Sequence, residues 1–159
     1  MSFLNTNNLP AGHQVIIEIL DAFYPGSIVY LVTNEYEAIF LRKSVYRDMG
    51  FGSEDEPGYS LKQFIIPLIS LPWLVDIIEN KFWKKPSQGR APADVLHYGQ
   101  VFDGEDIEVR FTPNCLKEFE PGITITNYSR AHGRSKYSTF TIPYYTLRDK
   151  KLLQAMKSV

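Results

Sequence analysis

The sequence predicts an α+β fold built from two tandem β-β-β-β-α units, each a curved antiparallel sheet covered on one face by a helix. Three observations carry this expectation. First, short β-branched and aromatic runs recur between turn signals along most of the chain. Second, two segments carry apolar residues at helical spacing, one beyond Ser70 and one at the C-terminus. Third, the segment FIIPLISL (64–71) returns as FTIPYYTL (140–147) at a constant offset of 76 residues. Phe, Ile, Pro and Leu are identical between the copies, Ser70 matches Thr146, and Lys81 matches Lys157 further on.

The elements follow in order. Residues 1–12 are polar, with Pro10 and Gly12, and read as an arm. The run QVIIEILDAFY (14–24) reads as a strand, and Pro25-Gly26 as a turn. SIVYLVT (27–33) and EAIFLRKSV (37–45) are strands joined by a turn at Asn34-Glu35. Residues 47–60 hold three Gly, one Pro and the acidic run 54–56, and predict an exposed loop. Residues 61–69 form the fourth strand. Ser70 stands where a helix N-cap would, with Pro72 in the first turn and apolar residues at 73, 74, 77, 78 and 82. The first unit thus spans 13–85, and Lys84 to Pro92 is the best linker.

The second unit, 93–159, repeats this order. Residues 96–102 and 106–112 are strands joined by the hairpin dipeptide Asp103-Gly104. In DIEVRFT, Ile107, Val109 and Phe111 alternate strictly with Glu108 and Arg110. Residues 123–128 and 137–143 are the last strands, joined by a basic turn over 130–136. Thr146 and Asp149 have capping-box spacing ahead of a helix bearing Leu152, Leu153 and Met156. The two units read as one pseudo-symmetric domain over 1–159.

Composition narrows the function classes. The formal net charge is -1, which argues against a polycation that coats nucleic acid or membrane. The distribution is uneven: residues 1–60 hold three Lys/Arg against eight Asp/Glu, while residues 128–159 hold seven Lys/Arg against Asp149 alone. Cys115 is the single cysteine, so neither an internal disulfide nor a cysteine-based zinc site can form. His13, His97 and His132 lie at no metal-ligand spacing, and no phosphate loop or nucleophile elbow occurs. These features predict a non-enzymatic binding protein without metal or cofactor. The N-terminus lacks the basic start and apolar core of a signal peptide, and the apolar stretch 64–78 is too interrupted to span a bilayer. A cytoplasmic location, in a bacterium or a host-cell interior, is the expectation.

The stretch ISLPWL (69–74) ends a strand and opens an aromatic-bearing helix. In this corner and in element order the chain resembles the Whirly and PUR-type families and the single-stranded-DNA-binding transcriptional coactivators of the same topology. That resemblance implies binding of single-stranded nucleic acid on sheet faces and β-hairpins, in an accessory role in transcription or replication.

The residues point to where. The turn RAHGRSKY (130–137) gathers Arg130, His132, Arg134 and Lys136 beside Tyr137, so cations can follow phosphates while an aromatic stacks on a base. Arg148, Lys150 and Lys151 extend the basic patch, at a helix start where cations oppose the dipole. If Ile123 and Ile125 face the core, then Thr124, Thr126 and Tyr128 face outward, opposite Tyr137, Thr139 and Thr141, with Arg110 and Glu108 extending the face. The expected nucleic-acid contacts are therefore Arg110, Arg130, Arg134, Lys136, Arg148, Lys150 and Lys151, with Tyr128 and Tyr137 stacking. The alternative class is a protein-binding inhibitor of the immunity or phage type. An acidic patch over 48–56 or an exposed apolar patch with Trp73 or Trp83 would favour it. Tandem units also leave room for a homodimer.

Overall fold

The computed structural model describes residues 3–21, 26–45, 59–84, 96–115, 120–131 and 134–159. The acidic run 54–56, the linker 85–92 and His132 lie outside them. The strands β1 (Gln14–Leu20), β2 (Ile28–Thr33), β3 (Glu37–Val45) and β4 (Tyr59–Pro67) form one antiparallel sheet in sequence order. The strands β5 (His97–Phe102), β6 (Glu105–Thr112), β7 (Gly122–Asn127) and β8 (Ser138–Pro143) form a second of the same order. Helix α1 (Leu71–Ile77) follows the first sheet, and α2 (Tyr144–Arg148) and α3 (Leu152–Lys157) follow the second. The chain is thus an α+β fold of two β-β-β-β-helix units.

Local chemistry sets the turns. Between β2 and β3 the Asn34 side-chain oxygen accepts the backbone N–H groups of Tyr36 (2.9 Å) and Glu37 (2.7 Å). Between β5 and β6, Asp103 (φ 49°) and Gly104 (φ 78°) both take positive φ, as a type I′ hairpin requires.

Both strand-to-helix corners have the same construction. Pro67 (φ -58°, ψ 136°) and Pro143 (φ -64°, ψ 148°) end their strands without an N–H to continue the ladder. The next residue then turns back. The Leu68 N–H donates to the Tyr36 carbonyl at 2.8 Å, and the Tyr144 N–H donates to the Pro121 carbonyl at 2.9 Å. Each acceptor directly precedes the neighbouring strand. The identical prolines at offset 76 therefore produce an identical backbone bond.

The expected caps are not used. Helical backbone starts straight after each proline, so Ser70 lies inside a 3-10 turn (Leu68–Ser70), and its hydroxyl donates to the Pro67 carbonyl at 2.6 Å. Thr146 is buried within α2, and Asp149 follows the end of that helix. The expected helices are also interrupted. Helix α1 runs into a π turn over Ile78–Phe82, and Lys151 at φ 65° separates α2 from α3.

The two units share one core. The rings of Phe40, Phe64 and Phe140 meet at centroid distances of 5.6–6.3 Å, with Phe64 and Phe140, the matched pair of the repeat, stacked at 6.0 Å and 26°. Reciprocal hydrogen bonds flank them. Phe40 pairs with Phe64 across β3 and β4, and Ile125 pairs with Phe140 across β7 and β8. Two residues beyond Phe40, Arg42 donates to the Thr141 carbonyl at 2.7 Å. Two residues beyond Ile125, Asn127 donates to the Ile65 carbonyl at 3.0 Å. Ile65 and Thr141 are again offset by 76, so each half offers an equivalent donor to an equivalent carbonyl of the other. The helices cross over as well. Trp73 packs on Phe102 (5.3 Å) and Phe82 on Tyr98 (5.9 Å), both of β5, while α3 contacts β1.

The outer faces of the sheets differ. Tyr30, Val32, Ile39 and Leu41 line the outside of the first sheet and are buried under Leu4 and Leu9 of the N-terminal arm. The Leu4 N–H is held by Gln63 Oε1 at 2.9 Å. That face is closed by the chain's own arm, which leaves a groove of about 580 Å³ beside Phe3, Leu4, Tyr30, Lys43 and Leu61. Among the described residues no helix is long and apolar enough to cross a membrane.

Candidate nucleic-acid interface

The outer face of β6, β7 and β8 is built from polar side chains. Ile107, Val109, Ile123, Ile125, Phe140 and Ile142 point into the core and are fully buried. The pleat then sends the intervening residues outward. Thr124 lies opposite Thr141, and Thr126 opposite Thr139. The Thr124 hydroxyl bridges to Thr112 at 2.7 Å and to Thr141 at 3.2 Å, giving a hydroxyl ladder across β6, β7 and β8.

At one end of the ladder stand two aromatic rings. Tyr128 and Tyr137 lie 5.5 Å apart at 53° and are 41% and 47% exposed, enough ring surface for a planar ligand to stack on. Glu108 ties this end together. Its Oε2 accepts from the Tyr128 hydroxyl at 3.3 Å, and its Oε1 accepts from Arg110 Nη2 at 3.0 Å. Partial burial first, and then the Glu108 carboxylate, pushes the Tyr128 hydroxyl above the usual phenol value. The bond to the same carboxylate raises Arg110. Arg110, Arg134 and Lys136 are exposed; Arg110 shares the Glu108 carboxylate with Tyr128, and Lys136 directly precedes Tyr137 in the chain.

Arg130 occupies a different place. Its Nε donates to Glu105 Oε1 at 2.5 Å and its Nη2 contacts Glu37 Oε2 at 3.0 Å, so it joins the second sheet to the first. Glu105 also accepts from Asn127 (3.0 Å), and Glu37 from Asn34 (3.0 Å), which in turn meets His13 at 3.1 Å. Burial would raise the Glu105 carboxyl, but the hydrogen bonds from Arg130 and Asn127 outweigh it and hold the group below the usual carboxylate range. Bonds to Glu105 raise Arg130 in turn.

Arg148, Lys150 and Lys151 sit in the helical layer, on the opposite side of the sheet from the tyrosines. The Arg148 guanidinium lies 5.6 Å from the Trp83 ring centroid and the Lys150 ammonium 5.8 Å from that of Tyr145. The nine expected contacts therefore do not form one patch: Arg110, Tyr128 and Tyr137 meet on the outer face, Arg134 and Lys136 are exposed in the turn before β8, Arg130 is at the junction, and the remaining three are among the helices. The partners of Arg130 lie 25 and 93 residues away, a separation no local pattern signals.

Other chemistry is sparse. Among the described residues no group of three or more His, Cys, Asp or Glu side chains could hold a metal ion. Cys115 is buried, and desolvation pushes its thiol up to about 12. Trp73 and Trp83 pack on Phe102 and Tyr144.

Comparison with protein-family models, curated proteins and solved structures finds no match to this chain.

Proposed function

We propose that this chain is a non-enzymatic nucleic-acid-binding protein that prefers single strands and serves an accessory role in transcription or replication. The observation that carries the reading is the exposed pair Tyr128 and Tyr137 at the end of a threonine ladder, with Arg110 tied to Tyr128 through Glu108 and Arg134 and Lys136 exposed in the turn before Tyr137. Unpaired bases offer π faces that stack on tyrosine whatever their identity, and hydroxyls along the ladder can hydrogen-bond to base edges. The cations follow the phosphates. Duplex DNA keeps its bases stacked on one another, so the same face favours single strands.

Fluorescence anisotropy with labelled single-stranded and double-stranded DNA and RNA across a salt series tests this. Single strands should bind in preference to duplex and weaken as salt rises. Tyr128→Ala and Tyr137→Ala should each cost about 1–3 kcal/mol of binding. Arg134→Ala with Lys136→Ala should flatten the salt slope by about 0.7 per cation. No binding at low salt would overturn the assignment and move the search to a protein partner.

A further inference from the structure

We infer that the helical layer carries a separate binding site for a phosphate ester with an aromatic ring, of the size of a nucleoside monophosphate. The site is a cavity of about 390 Å³ lined by Trp83, Leu147, Arg148, Lys151, Leu153 and Gln154, with Lys157 at its rim. That volume lies within the usual range for small-molecule sites. Among the described residues no acidic side chain lines it, and three cations do. Glu79 occupies Lys157 at 2.7 Å, which leaves a net of two positive charges, three minus one. Among the described residues neither Arg148 nor Lys151 forms an ion pair.

The aromatic wall adds a second requirement. The Trp83 indole N–H is buried with no acceptor among the described residues, and a buried donor left unpaired is unfavourable. That N–H has no accessible surface, so what the cavity wall offers a ligand is the indole ring. The backbone brings the cations together. Lys151 holds φ 65°, a conformation unfavourable for a side chain other than glycine, and this break between α2 and α3 sets Arg148 and Lys151 on one cavity. Apolar walls, an indole and two unpaired cations match a ligand with a planar ring and a phosphate. The chemistry arrives either as a free mononucleotide or as the 5′-phosphorylated end of a strand. The cavity lies on the other side of the sheet from Tyr128 and Tyr137, so it stands or falls apart from the function proposed above.

The test is isothermal titration of the full chain with adenosine monophosphate, adenosine and inorganic phosphate. Adenosine monophosphate should bind at least tenfold more tightly than either fragment. R148Q combined with K151Q, both at exposed positions, should weaken it tenfold or more with unchanged thermal unfolding. W83L, which removes the aromatic wall, should weaken it severalfold. Binding of an oligonucleotide with a 5′-hydroxyl should be unaffected by these changes. Competition by the same oligonucleotide bearing a 5′-phosphate identifies a strand end as the source, and lack of competition identifies the free nucleotide; both outcomes support the site. Silence of adenosine monophosphate at millimolar concentration, or equal affinity in wild type and R148Q/K151Q, would overturn it.

Discussion

Replacing Arg130 by glutamine separates a binding role from a structural one. The side chain makes contacts of 2.5 and 3.3 Å to Glu105 and 3.0 Å to Glu37, and it is 31% exposed. A well-buried charged hydrogen bond contributes about 1.5–3 kcal/mol, and a solvent-exposed ion pair about 0.2–1 kcal/mol. Arg130 lies between these limits, so its loss should cost about 1.5 kcal/mol, discounted for solvent screening. At about 2–4 °C per kcal/mol for a chain of this length, Tm should fall by about 3–6 °C at neutral pH. The effect should depend on pH with a defined sign. Glu105 is held below its ordinary value in the folded state, so its contribution is complete at neutral pH and disappears as pH falls through the carboxylate range. The gap in Tm between wild type and R130Q should therefore narrow on acidification, as followed by circular dichroism. An unchanged Tm at neutral pH, together with a lost phosphate contact in the salt series, would refute the junction role.

Three further outcomes follow from the packing. Cys115, buried and with its thiol pushed up to about 12, should resist Ellman's reagent at pH 8 in the folded protein and react fully once unfolded. Gly122→Ala should destabilise by more than about 2 kcal/mol in chemical denaturation, because the added methyl would meet the Ile142 carbonyl oxygen at 2.3 Å and Cys115 Sγ at 2.6 Å. Asn127→Ala should cost about 1–2 kcal/mol in the same assay, since that side chain donates to the Ile65 carbonyl and to Glu105 across the junction.

Much of the fold was legible because strand signals are local. All eight strands arise from β-branched or aromatic runs, and the ends of β3 coincide with the expected 37–45. The Asp103-Gly104 turn and the outward threonines follow from φ preference and the pleat alone. The helix starts were not legible. Ser70 and Thr146 have the side chains of caps, but each preceding proline ends the strand and lets helical backbone begin three residues early. At the candidate site, Tyr128 and Tyr137 could be paired from strand alternation. The place of Arg130 could not, because Glu37 belongs to the other unit. Nor could the cavity beside Trp83, which needs the end of the first unit to meet α2 and α3.

The corner hydrogen bonds, the stacked Phe64 and Phe140 and the reciprocal donors Arg42 and Asn127 make the halves equivalent in the core. Their outer faces are not equivalent. The first sheet turns Tyr30, Val32, Ile39 and Leu41 outward, and such an apolar face in water needs a cover, which Leu4 and Leu9 provide. The second turns Thr112, Thr124 and Thr141 outward, whose hydroxyls satisfy one another and need no cover. The two sheets therefore share an apolar inner face and differ in the chemistry of their outer faces, the positions a β-sheet can alter without disturbing its core. The closed face supports the fold, and the open face of β6, β7 and β8 stays accessible to solvent. Removing residues 1–12 should thus expose apolar surface on the first sheet, seen as increased binding of a hydrophobic dye, and leave the Tyr128 and Tyr137 surface intact.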